Sequence, residues 1–229
     1  MSNLMIDGPA YEQAAKDGIK DKNSVAIDVG SNIGIKADLF CSLGYKEVHL
    51  FEPSPRMLES SKKLLEKHSK KCIFNQCGLS DYKRNLKNIK LLQSWILCGD
   101  DESYNYPVSP GALELQPEPF DTELITLDEY CKNFSRLDLL KIDVEGYEFK
   151  VLRGGQNTIQ KFKPIIILEL SLYIKDIEKI EIIHFINYLY TLGYEFLDLQ
   201  GKPVSQERMI SEYPYHSSCD VVMYPITQK

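Results

Sequence analysis

The residues of this chain that could do chemistry fall into three short clusters. The first is Asp28-Val-Gly30-Ser31-Asn32-Ile-Gly34, a D-x-G-x-x-x-G pattern directly after an apolar, β-branched run. Glycines at such a junction let backbone turn tightly and approach a ligand closely, although the same glycines also suit a turn that binds nothing. A dinucleotide fingerprint reads G-x-G-x-x-G, and here Asp28 takes the place of its first glycine. A carboxylate repels a pyrophosphate and attracts an ammonium group, so the sign of the charge favours S-adenosylmethionine over NAD. The second cluster is Glu52-Pro53 at the end of the next apolar run. Its distance from the glycine turn is near the roughly 20 residues at which an acid accepts hydrogen bonds from a ribose diol in nucleotide-binding α/β folds. The third is Lys141-Ile-Asp143-Val-Glu145-Gly146. Strand alternation puts Lys141 and Asp143 on one face, joined by Glu145 if the chain stays extended. A lysine inside a strand demands a carboxylate partner, and a structural ion pair accounts for the same pattern.

These clusters need elements to carry them, and the hydrophobic pattern alternates between strands and helices. Residues 24–29 read as a buried strand that stops at Gly30, and 33–43 as a helix with Ile35, Leu39, Phe40 and Leu43 at helical intervals, ended by Gly44. Residues 48–51 form the next strand, followed by a helix through Met57, Leu58, Ser61, Leu64 and Leu65, and 72–79 form a third strand. Residues 137–144 are a fourth strand, 148–159 a helix, and 163–170 a fifth strand whose nearly unbroken apolar run suits a sheet centre. A helix over 177–192 has Ile180, Ile183, Ile186 and Leu189 on one face, and 194–199 and 220–226 supply two further strands, the last antiparallel. Thr126 opens a short helix at capping-box spacing from Glu129.

This order predicts an α/β fold with a parallel sheet covered on both faces. Sheets of this kind bind ligands at the carboxyl ends of their strands, where all three clusters lie. The alternation breaks between about 81 and 123, around Trp95, Tyr104, Tyr106 and prolines 107, 110, 117 and 119. That stretch reads as an insertion with little regular structure, inside one domain spanning 1–229, and as the place where acceptor specificity is encoded.

Taken in order, Asp28-Val-Gly-Ser-Asn-Ile-Gly34, Phe51-Glu-Pro-Ser-Pro55, Gly78-Leu-Ser-Asp81, Ile125-Thr-Leu-Asp128, Leu140-Lys-Ile-Asp-Val-Glu-Gly146 and Lys163-Pro-Ile-Ile-Ile-Leu-Glu169 resemble the FkbM family of S-adenosylmethionine-dependent methyltransferases. The resemblance covers roughly residues 24–171. It implies a class I methyltransferase fold: a Rossmann-like three-layer sandwich with a seven-stranded, mostly parallel sheet whose last strand is reversed. It also implies methyl transfer to oxygen, often of a sugar or polyketide hydroxyl. Carried over, Asp28, Gly30, Ser31, Asn32 and Gly34 correspond to the loop around the methionine part of the cofactor, Glu52 and Pro53 to the ribose-binding acid and its neighbour, and Gly78 and Leu79 to the adenine contact. Asp143 corresponds to the acid beside the methionine moiety and the transferred methyl. The family usually has alanine where Ser31 stands.

An alcohol is a weak nucleophile at neutral pH, so a general base should help. Asp143 and Glu145 are the candidates, with Lys141 tuning their ionisation. Asp143 and Glu169 end neighbouring strands and offer oxygen ligands that would suit Mg²⁺, although a metal is not expected. A nicotinamide-dependent oxidoreductase would share the sheet and the ribose acid but conflicts with Asp28. A non-catalytic S-adenosylmethionine-binding module would share every cofactor motif. The formal charge of −6, from 27 Lys plus Arg against 33 Asp plus Glu, has the wrong sign for holding nucleic acid by counterion release. Asp143-Val-Glu-Gly146 also lacks the D/N-P-P-aromatic motif of amino-group enzymes that act on nucleic acids. The expected partner is therefore a small-molecule or glycan hydroxyl, for which Trp95, Tyr104 and Tyr106 offer ring faces. No run approaches the roughly 18 apolar residues of a membrane span and no signal peptide is visible, so a soluble, cytoplasmic protein is expected. Cysteines 41, 72, 77, 98, 131 and 219 include no C-x-x-C pair and read as reduced thiols, and the four histidines lack ligand spacing.

Overall fold

Val25-Ala-Ile-Asp-Val29 is buried on both parities, as a strand with neighbours on each side and helices on each face must be. In the computed structural model, which describes residues 8–89, 91–92, 96–97, 119–171, 182–212 and 218–226, it is β1, near the middle of a seven-stranded sheet. With β2 (Glu47–Phe51), β3 (Cys72–Asn75), β9 (Leu139–Ile142), β10 (Ile165–Ser171), β11 (Tyr194–Asp198) and β12 (Ser218–Pro225), the order is β11-β12-β10-β9-β1-β2-β3. β12 pairs antiparallel with both neighbours, whereas β1, β2, β3, β9 and β10 run parallel. The expected sheet and its reversed last strand are both present.

Alternation along the strands sorts side chains onto two cores. Ala26, Leu139, Ile165, Ile167 and Val222 face one core with residues of α1 (Pro9–Asp17) and α2 (Ile35–Leu43). Val25, Ile27, Val29, Leu140, Ile142, Ile166 and Leu168 face the other, with α4 (Leu127–Tyr130), α5 (Glu148–Gly154), α6 (Gln156–Phe162) and α7 (Ile182–Thr191). Helix α3 (Pro55–Leu64) follows β2, and α8 (Gln206–Glu212) precedes β12. Among the described residues no helix is long and apolar enough to cross a membrane.

The structure revises several elements. On α2 the buried residues are Ala37, Phe40 and Cys41, while Ile35 is exposed. Ile183 of α7 is also exposed, and Phe185, Ile186 and Leu189 face the core. The single helix expected over 148–159 breaks at Gly155, between α5 and α6, and an added Cβ on the preceding Gly154 would lie 2.0 Å from the Ser80 carbonyl oxygen. The expected capping box is half formed: Thr126 Oγ1 accepts the Glu129 N–H at 3.0 Å, and the Glu129 carboxylate instead lies 3.8 Å from Lys83 Nζ. The third strand ends at Asn75, and Gly78–Leu79 becomes β4 of a separate sheet.

That second sheet also corrects the reading of the insertion. β5 (Arg84–Ile89) lies within the 81–123 stretch and pairs antiparallel with β8 (Phe120–Ile125) at its end, with β4 alongside β8, around a small core of Leu86, Ile89, Phe120 and Leu124. β6 (Leu91–Leu92) and β7 (Ile96–Leu97) form a further two-stranded ladder. Trp95, Tyr104, Tyr106 and prolines 107, 110 and 117 lie outside the described residues, as do Cys98, the first residues of the expected 177–192 helix, and His216.

Candidate active site

β1 ends where Gly30 adopts φ 72°. An added Cβ there would stand 1.8 Å from the Asp143 carbonyl oxygen, so the loop lies hard against the end of β9. Gly30 and Ser31 both donate their N–H to the Phe51 carbonyl, at 3.0 and 3.1 Å, which stitches the loop to β2. Asn32 is left-handed, at φ 48°, and Gly34, at φ 88°, begins α2. The Asn32 N–H donates to Glu52 Oε2 at 2.9 Å, and Glu52 Oε1 accepts from the Ser54 N–H at 2.9 Å. Pro53 thus sits between the acid and Ser54, whose Oγ caps α3. Burial pushes the Glu52 carboxyl up to about 7, against the pull of the Ser54 and Asn32 amides. The first two clusters therefore form one unit, with the acid directly after β2 holding the glycine loop. The Ser31 hydroxyl in that loop is buried without a hydrogen-bond partner among the described residues.

The partner that Lys141 demands is present twice. Its Nζ lies 3.1 Å from Asp28 Oδ1 and 3.2 Å from Asp143 Oδ2, and it donates to the Gly30 carbonyl at 2.9 Å. The lysine thereby ties the end of β9 to the loop after β1. Burial opposes its charge, but Asp143 and Asp28 outweigh burial and hold the ammonium well above its usual range. Burial also raises Asp28, with Lys141 opposing. The Asp28 side chain is 0% exposed, enclosed behind Lys141. Lys141 links it to Asp143, which has its side chain 38% exposed and is the member of the chain that meets solvent.

Glu145 reaches the same place by another route than an extended strand. β9 stops at Ile142, and the chain turns through Glu145 at φ 53° and Gly146 at φ 106°. Carboxylate oxygens of Asp143, Glu145 and Glu169 nevertheless lie within 4.8 Å of one another, an oxygen-rich group that would suit a hard cation. Burial and then Asp143 push Glu145 up to about 7. The turn is held by Glu148, which sequence reasoning missed. This fully buried acid accepts the Val144 N–H at 3.1 Å and the Gly146 N–H at 3.0 Å, and burial pushes it up to about 8. Its signal was an acid in the first turn of a helix that directly follows the motif. Gly78 and Leu79 belong to the second sheet: β4 pairs with β8, and Leu79 is a core residue at 4% exposure.

Comparison with known proteins places this geometry in a family. The chain is 29% identical over 147 residues to "Methyltransferase 1" of Beauveria bassiana (strain ARSEF 2860), covering 58% of each chain. The solved methyltransferase FkbM from Methylobacillus flagellatus KT superposes with a TM-score of 0.55 at 14% identity, over 89% of this chain and 44% of that one. A putative methyltransferase from Streptococcus mutans in complex with SAH superposes at 0.53 with 14% identity, over 97% of this chain and 100% of that one. These likenesses show a class I methyltransferase fold. The chain spans a little over half the length of its curated relative and under half that of the solved FkbM protein. The model of the methyltransferase FkbM domain matches residues 28–196, from the buried aspartate of β1 to the middle of β11, and the chain belongs to that family.

Proposed function

We propose that this chain is an S-adenosylmethionine-dependent O-methyltransferase acting on a hydroxyl of a small molecule, with a sugar or glycan as the acceptor class. The observation that carries this reading is the chain of charge from buried Asp28 through Lys141 to solvent-facing Asp143, beside Glu145 and against the Glu52-held glycine loop. When bound, S-adenosylmethionine supplies an electrophilic methyl group on a sulfonium. The donor set fits that group. Glu52 keeps carboxylate lone pairs beyond the two amides it accepts, which suits a ribose diol. The orphaned Ser31 hydroxyl is a donor suited to a carboxylate. The SAH bound to the Streptococcus mutans neighbour agrees.

What remains for the protein is to hold the acceptor hydroxyl and receive its proton. Glu145, pushed to about 7, has a proton affinity matched to that task near neutral pH. Asp143 orients the hydroxyl with Lys141 fixing its carboxylate. The Asp143, Glu145 and Glu169 group could carry Mg²⁺ in the same place, orienting the acceptor oxygen.

Calorimetry tests the cofactor half. S-adenosylmethionine and its demethylated product should bind and NAD should not, and Glu52→Gln should weaken binding about tenfold to a hundredfold, the worth of a hydrogen bond to a charged group. Binding of NAD in preference to both would overturn the reading. A labelled methyl-transfer screen over sugars and small hydroxylated metabolites, with and without EDTA, tests the chemistry. Glu145→Gln should lower transfer by about a hundredfold or more while keeping cofactor affinity.

A further inference from the structure

The α1 and α2 face of the sheet carries a polar row that the reading above uses only in part. Alternation puts Lys141, Glu169 and Asp220 on this face, because Leu139, Ile167 and Val222 pack there against α1 and α2. Glu169 of β10 is the direct cross-strand partner of Asp220 of β12, and its carboxylate lies in the group with Asp143 and Glu145. The reversed last strand therefore adds a fourth carboxylate to the mouth of the site. Two helices close the same face. Lys36 of α2 holds its Nζ 4.7 Å from the ring centroid of Tyr11 of α1.

Tyr11 is 2% exposed, and its hydroxyl has no hydrogen-bond partner among the described residues. Buried hydroxyls are ordinarily satisfied, so an orphan beside a ligand site points to a group still to arrive. Burial first, and then the carboxylates of Asp28, Asp220 and Asp143, raise its pKa and keep it a neutral O–H donor. Asp143, Lys141 and Lys36 in turn act on Asp220, so these groups share one field.

We propose that Tyr11, Lys36 and Asp220 are acceptor-positioning residues, completing with Asp143 and Glu169 a subsite for a neutral, polyhydroxylated acceptor on the α1 and α2 face. With the neighbouring Glu145, four carboxylates favour a ligand rich in O–H donors and repel phosphate or carboxylate groups. Tyr11 and Lys36 complement them by donating to the acceptor's own oxygens. A polyamine would satisfy the carboxylates but set like charge against Lys36. The assignment rests on the methyltransferase reading, and it locates acceptor choice on α1, α2 and β12 as well as in the 81–123 stretch.

Saturation-transfer NMR in the presence of SAH tests it with three sets of probes: the methyl glycosides of glucose, galactose and mannose, then glucose 6-phosphate, then spermidine. At least one neutral glycoside should bind better than the anionic and cationic probes. Tyr11→Phe and Asp220→Asn should each weaken it at least fivefold while SAH affinity, which also reports folding, stays within twofold. Glycoside binding unchanged in both variants overturns the assignment, as does preference for the phosphate or the polyamine, or binding of no glycoside to the SAH-loaded protein. Failure of the unmodified protein to bind SAH would instead take down the methyltransferase reading itself.

Discussion

An ammonium group at 4% exposure persists in a protein interior only among opposite charges, and Lys141 has Asp28 and Asp143 on either side. Removing it leaves Asp28 buried and unpaired. Lys141→Met should therefore destabilise the fold by about 3–5 kcal/mol, read as a lowered urea midpoint, the usual cost of breaking a buried pair from one side. The double variant with Asp28→Asn should regain part of that loss, since neither charge then remains in the interior; equal loss in both would show that the pair does not carry the cost. Glu145 makes the second residue-scale case. Its folded pKa of about 7 lies above the ordinary 4.5, so it ionises only as pH rises through 7. A base must be ionised to accept a proton, so methyl transfer should climb over that range, about tenfold per pH unit below the pKa. Glu145→Gln should lack this limb, and a variant that kept it would place the base elsewhere. Asp28 itself shows what a motif leaves unsaid. Alternation gives the face on which its carboxylate lies but not its depth, and the structure buries it fully against Lys141.

At the scale of elements, the short helices depend on side chains that close their ends. Asp128 of α4 accepts the Asn157 and Thr158 N–H groups at 3.2 and 2.7 Å, capping the first turn of α6 from outside. Asp128→Ala should cost about 1–2 kcal/mol in chemical denaturation, and Asp128→Asn less, because an amide oxygen still accepts. A loss confined to the surface-mutation range of about 0.5 kcal/mol would show that the cap contributes little. Strands β1, β2, β9 and β10 were legible because runs of Val, Ile and Leu bounded by glycine or proline have few other readings. Helix α1 was not, because its buried face is Ala10, Tyr11, Ala14 and Ala15, small residues that give little hydrophobic signal. The strand expected to run through Leu79 failed for a different reason. The chain changes sheets after Asn75, and the pairing of Gly78 with Leu124 is set by a partner far along the sequence. What local pattern cannot show is which distant strand a short segment joins. For the same reason Tyr11, Lys36 and Asp220 carried no motif: three separated elements bring them to one face.

Across the whole molecule, the formal charge of −6 is distributed unevenly, and the mouth of the sheet concentrates carboxylates that burial holds close to neutrality. Glu52 and Glu145 both lie at about 7. At pH 6 most copies of each are protonated, and at pH 8 most are ionised. The site therefore gains negative charge across a range in which ordinary carboxylates no longer titrate. S-adenosylmethionine carries a sulfonium charge that its demethylated product lacks, so the two ligands report this change differently. A charge pair at an effective dielectric of about 20 is worth about 1–4 kcal/mol, and about 1.4 kcal/mol is tenfold in affinity. The preference for S-adenosylmethionine over SAH should accordingly rise at least about fivefold from pH 6 to pH 8, measured by competition calorimetry. Glu145→Gln should remove part of that rise by holding one group neutral throughout. A preference that is flat with pH would show that these carboxylates do not change charge over this range, and would remove the matching of Glu145 to neutral pH along with it. The sign also bears on the proposed turnover: as pH rises the site should increasingly favour the charged donor over the spent product, over the same range in which Glu145 ionises.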